Sequence, residues 1–155
     1  MVDRQLASKT SKSHKLSNQH GRKKSLEAAS LRLSPGTDIR RCLEDFAIEQ
    51  DIKAAVILGA VGSLSTTCLR FADRNKHTEL SGKQEVLTLS GMLSDEGVHL
   101  HMSVADSNGE CKGGHVVHGC IVYTTLEIAI ALLPNTSFQR IFDPNTGFKE
   151  LKVTS

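Results

Sequence analysis

The sequence predicts an α+β domain in which a mostly antiparallel β-sheet packs with one or two helices. Three observations predict it. One segment, from Ile39 to about Gln50, repeats apolar residues at helical spacing. From Glu79 onward the chain is dominated by β-rich or alternating segments, punctuated by Gly, Pro, Asn and Asp. The 155 residues, 39% apolar and 23% charged, allow one domain with a core and little beyond it.

Residues 1–29 are rich in Ser, Lys, Gln and Asn and lack a sustained apolar period. They are expected to be a disordered basic tail ahead of a domain spanning 30–155. Leu31-Arg32-Leu33 alternates, and Ser34-Pro35-Gly36 makes a turn. Thr37 or Asp38 can cap the helix that follows. Its apolar face is Ile39, Leu43, Phe46 and Ala47, and Glu44, Asp45 and Glu49 are expected on the solvated side. Ala54–Val61 suits a buried strand. Gly62-Ser63 punctuates it, and Thr66–Ala72 reads as another strand.

Glu85–Leu93 and Val98–Ala105 read as strands joined by a turn at Ser94–Gly97. In the second of these, Val98, Leu100, Met102 and Val104 point one way, while His99, His101, Ser103 and Ala105 point the other. Asp106-Ser107-Asn108-Gly109 contains Asn-Gly, a strong hairpin signal. Val116–Val122 and Leu126–Leu133 are β-capable. Phe138–Phe142 and Phe148–Val153 flank a last turn at Asp143–Gly147.

Composition excludes several function classes. Aromatic residues are 4% of the chain, with no Trp and one Tyr, too few for a base-stacking platform. The longest apolar runs fall well short of the ~20 residues of a membrane-spanning helix. The four cysteines contain no C-x-x-C pair, which removes the usual zinc and thioredoxin motifs. No apolar secretory core is visible near the start, so a cytoplasmic or nuclear location is expected. Charge is divided unevenly. Residues 1–30 carry seven Lys/Arg against two Asp/Glu, and residues 31–155 carry twelve against fifteen, or +5 and −3. Any DNA contact is therefore expected through the tail, where Arg22, Lys23 and Lys24 are adjacent, or through a local patch that the total charge conceals.

Four of the seven histidines fall within twenty residues: His99, His101, His115 and His118. His99 and His101 are two apart on a strand and share a face. A strict two-residue turn after them sets His115 opposite Met102, on the wrong face. A longer loop ending in a glycine bulge sets it opposite His101. Three imidazoles can then hold one ion and leave an open position, an arrangement zinc adopts. His118, three positions past His115, faces away and is excluded. Gly113-Gly114 clears space for a ligand or a backbone. Glu127 sits in an apolar stretch. It lies at a sheet edge, pairs with Arg70, or stands near the histidines as a cofactor-binding group or base.

The stretch Leu31–Glu150 resembles the plants-and-prokaryotes-conserved (PPC) domain, also called domain of unknown function 296. The resemblance rests on Arg32-Leu33-Ser34-Pro35-Gly36-Thr37-Asp38, Val61-Gly62-Ser63-Leu64 with Leu69-Arg70, and Leu89-Ser90-Gly91. It continues in His99-Leu100-His101, Gly113-Gly114-His115 with Gly119, Thr125-Leu126-Glu127, and Asp143 to Leu151. It implies a homotrimer, and it implies that His99, His101 and His115 are the metal-site candidates of bacterial-type, stand-alone members. Plant members carry an AT-hook ahead of the domain. His20-Gly21-Arg22-Lys23-Lys24 departs from that Arg-Gly-Arg-Pro element, so minor-groove insertion is not carried over. The expected function is a trimeric DNA-binding or regulatory module with a zinc site. The alternative is a zinc-dependent hydrolase or lyase using His99, His101 and His115, with Glu127 as base.

Overall fold

The computed structural model describes residues 26–154. The tail cluster Arg22-Lys23-Lys24 lies outside the described residues. The elements run β1 (Glu27–Leu33), α1 (Ile39–Glu49), β2 (Ala55–Arg70), β3 (Thr78–Leu80), β4 (Gln84–Ser94), β5 (Gly97–Ala105), β6 (Cys111–Val116), β7 (Ile121–Leu132), β8 (Ser137–Asp143) and β9 (Phe148–Thr154). The first strand begins at Glu27, three residues ahead of the predicted domain boundary.

A seven-stranded sheet runs β1-β7-β2-β4-β5-β6, with β3 added beside β2. Every pairing is antiparallel. The end of β2 also pairs with β6, through Leu69↔Val116 and Arg70↔His115. Strands β2, β4, β5 and β6 therefore close on one another. Strands β8 and β9 form a separate hairpin.

Among the described residues one helix forms, over the predicted span. Asp38 is its cap, and one carboxylate oxygen accepts the Arg41 N–H at 3.1 Å. The other accepts the Gly119 N–H at 2.6 Å, which ties the helix start to the turn before β7. Ile39, Leu43 and Ala47 are its buried residues, spaced four apart on one stripe. They pack against the core face of β4 and β5, where Leu93, Leu100 and Val104 are fully buried. Burying each such side chain stabilises the fold by roughly 1.5–3 kcal/mol.

Two expectations are corrected. The residues around Gly62-Ser63 do not separate two strands, because β2 runs unbroken from Ala55 to Arg70. Its register with β7 shifts between Gly62 and Leu64, so the chain bulges and bends instead of stopping. Gly62 permits this because a Cβ there would collide with the Thr125 carbonyl. Likewise Val116–Val122 is not one strand. A turn containing Gly119 (φ +102°) separates β6 from β7. No helix among the described residues is long and apolar enough to cross a membrane.

Candidate metal centre

Strand β5 alternates as predicted. Val98, Leu100, Met102 and Val104 are buried, and His99 and His101 stand on the opposite face. The β5–β6 loop spans Asp106 to Glu110, with Gly109 left-handed at φ +80°. The Asp106 side chain accepts the N–H groups of Asn108 (2.8 Å) and Glu110 (3.1 Å), which fixes the turn. The longer loop gives the register that serves the site, with Met102 opposite Gly114 and His101 opposite His115.

The three imidazoles meet. Ring centroids lie 5.2 Å apart for His99–His101, 5.1 Å for His99–His115 and 5.6 Å for His101–His115. One nitrogen from each lies within 4.8 Å of the others. Zinc–nitrogen bonds of ~2.0–2.1 Å imply nitrogens ~3.3 Å apart, a closure within reach of small side-chain rotations. The Nδ1 atom of His115 is buried and has no hydrogen-bond partner. A buried polar atom without a partner costs roughly 1–3 kcal/mol.

The electrostatics favour the neutral forms of His115 and His99. Burial pushes His115 down to about 4, and Arg70, His99 and Arg40 act in the same direction. His99 is also held below its ordinary value, first by burial and then by Arg140 and His101. Neutral imidazoles keep their lone pairs for a metal. No carboxylate belongs to the ligand group.

The surroundings come from elements distant in sequence. Arg40 on α1 donates to the Val116 carbonyl at 2.8 Å and to the Val98 carbonyl at 3.3 Å. These residues adjoin His115 and His99, so one guanidinium ties together the two strands that carry the site. Glu44 was expected on the solvated side of the helix. Instead it is half-buried, pairing with Arg40 and with His118, each at 2.8 Å. That contact occupies His118 away from the cluster. The β8–β9 hairpin lies over the outer face, and Arg140, Lys149 and Glu150 line the groove beside His99. Sequence reasoning missed Arg40, Arg70, Arg140 and Glu150. Only Arg70 left a signal, as a charge inside an apolar strand.

Glu127 is not part of this centre. It is exposed on β7, beside Arg32 of β1 and Val61 of β2. Arg70, the register partner of His115, lies nine residues beyond Val61 on β2. The expected pairing with Arg70 and the expected place near the histidines are both corrected. A strand traversing the sheet carried the carboxylate to its other end. Gly114 is structural, since a Cβ there would crowd the Arg70 carbonyl at 2.9 Å and block closure of β6 on β2.

Fold and site thus define a small, β-rich domain with one helix and a three-histidine groove. The chain belongs to the Plants and Prokaryotes Conserved (PCC) domain family, which matches residues 20–134. It is 47% identical over 129 residues to the bifunctional protein GlmU of a Synechococcus strain, covering 83% of this chain. The chain spans about a fifth (20%) of that relative's length. Among solved structures, a hypothetical protein from Salmonella is similar at 38% identity and a TM-score of 0.82, covering 88% of this chain and 99% of the other. A metal-containing protein from Archaeoglobus fulgidus is similar at 29% identity and a TM-score of 0.71, covering 81% and 93%.

Proposed function

We propose that this PCC domain is a metal-binding module that holds one divalent transition ion, zinc first, on His99, His101 and His115. The observation that carries the reading is the meeting of three imidazole nitrogens within 4.8 Å. The unpartnered His115 Nδ1 and the depressed pKa values of His99 and His115 support it. Imidazole donors suit zinc, copper, iron and nickel better than magnesium or calcium. The similarity to a metal-containing archaeal protein supports the same reading. Bound, such an ion supplies Lewis acidity at an open coordination position. Glu127 is too remote to act as a base there, so binding is favoured over the hydrolase or lyase alternative.

The module is proposed to work as a homotrimer, as the family resemblance implies. Leu58, Val61, Leu87, Met92 and Tyr123 are all exposed on β2, β4 and β7, giving an apolar surface that suits association. If three tails of +5 each converge, about +15 gathers at one place, which supports salt-sensitive DNA contact through residues 1–29. Elemental analysis with a solution mass measurement tests the first two claims together. About one zinc per chain and a trimer mass are expected for the wild type, and His101→Ala should lose the metal. A metal-free wild type overturns the site, and a monomer mass overturns the assembly. Deleting residues 1–29 should abolish DNA retention, and unchanged retention would refute the tail's role.

A further inference from the structure

The groove beside the histidines carries more positive charge than its contacts account for. Four cationic side chains line it, Arg40, Arg70, Arg140 and Lys149, against the carboxylates of Glu44, Glu96 and Glu150. Glu44 is committed to Arg40 and His118. Glu96 accepts the backbone N–H of Arg140 at 2.9 Å. Arg40 is committed to Glu44 and two carbonyls. Arg70 and Arg140 have no ion pair and no side-chain hydrogen bond among the described residues. Arg70 stands opposite His115 in register, so their side chains leave the same face. Arg140 comes from β8 on the hairpin side and lines the groove with His99 and His101. Two uncommitted guanidinium groups, one from β2 and one from β8, therefore line the same groove as His99 and His115.

We propose that this groove binds a small organic anion, whose carboxylate or phosphate group is held between Arg70 and Arg140 beside the three imidazoles. The inference rests on the metal reading above and names the ligand class of that site. A divalent ion without a carboxylate ligand would add to the positive charge already there. An anionic oxygen at the open position offsets both. Guanidinium presents a planar fork that matches carboxylate and phosphate geometry. The groove encloses about 530 Å³, the scale of a small-molecule site. Glu150 faces the same space and should weaken anion binding. Arg140, Lys149 and Glu150 all come from the β8–β9 hairpin, which lies beyond residue 134, where the family match ends.

The test loads the full chain with cobalt(II) and follows its visible absorption during separate titrations with inorganic phosphate, acetate and a short DNA duplex. A saturable spectral change with phosphate or acetate is expected, and which of the two acts at lower concentration identifies the oxyanion. Arg70→Gln and Arg140→Gln should each take up cobalt normally yet need about tenfold more anion. Glu150→Gln should need less. Equal midpoints in all variants, or a response to the duplex alone, would overturn the proposal while leaving the metal site standing. Failure of the wild type to take up cobalt would overturn the metal reading and this inference with it.

Discussion

The outer side of the main sheet carries two polar regions with very different environments. On β5 and β6, three histidines face one another beneath the β8–β9 hairpin, and burial depresses His99 and His115. On β1, β7 and β2, Glu127 stands exposed beside Arg32 and Val61. Both regions place side chains on a strand face by the same alternation. What separates them is cover. A strand face becomes a chemical site when a distant element partly excludes water from it, because desolvation and nearby charge act strongly only there.

The largest effects are expected at two tightly packed glycines, one in each region. Gly91 is opposite Leu100 in register, and a Cβ there would collide with the His99 carbonyl. Gly62 makes an equally tight approach, to Thr125 near Glu127. Either Gly→Ala change should cost about 1–3 kcal/mol in denaturant midpoints. Only Gly91→Ala should also weaken metal binding, by tenfold or more, since it displaces a ligand-bearing backbone. Wild-type metal affinity in Gly91→Ala would refute that displacement, and an equal loss in Gly62→Ala would show that the regions are not independent.

Acid gives the next effect. In the metal-free chain, burial holds His115 down at about 4 in the fold against about 6.5 when unfolded, so the unfolded chain binds more protons between those values. Stability is therefore full above about pH 6.5, falls as pH drops toward 4, and levels below it. The loss should be on the order of 1–2 kcal/mol after solvent screening, read from urea unfolding at several pH values. His115→Gln should flatten that slope. The smallest effect belongs to the exposed region. Glu127→Gln should alter stability by less than about 0.5 kcal/mol and leave metal content unchanged. A large change in either would return Glu127 to the site.

Much of the site was legible because it is local. The His-x-His spacing, the Asn-Gly turn and His115 lie within 17 consecutive residues, and strand alternation with one loop length fixes their convergence. The helix was equally legible, since Asp38 and the spacing of Ile39, Leu43 and Ala47 act within single turns. The strand breaks were less so. Gly62 looked like punctuation and proved to be a bend, because a glycine reports conformational freedom without saying how it is used.

Short-range periodicity alone settles the antiparallel α+β character and the shared face of His99 and His101, whereas His115 joins them because the β5–β6 loop has the longer of the two lengths the sequence allows. The surroundings of the histidines come from long-range packing. The closure of β2 on β6 brings Arg70 to His115, the helix brings Arg40 to both site strands, and the last hairpin brings Arg140 and Glu150 over the groove. Those residues lie far apart in the chain, and what unites them is burial of a shared core, which no local spacing encodes.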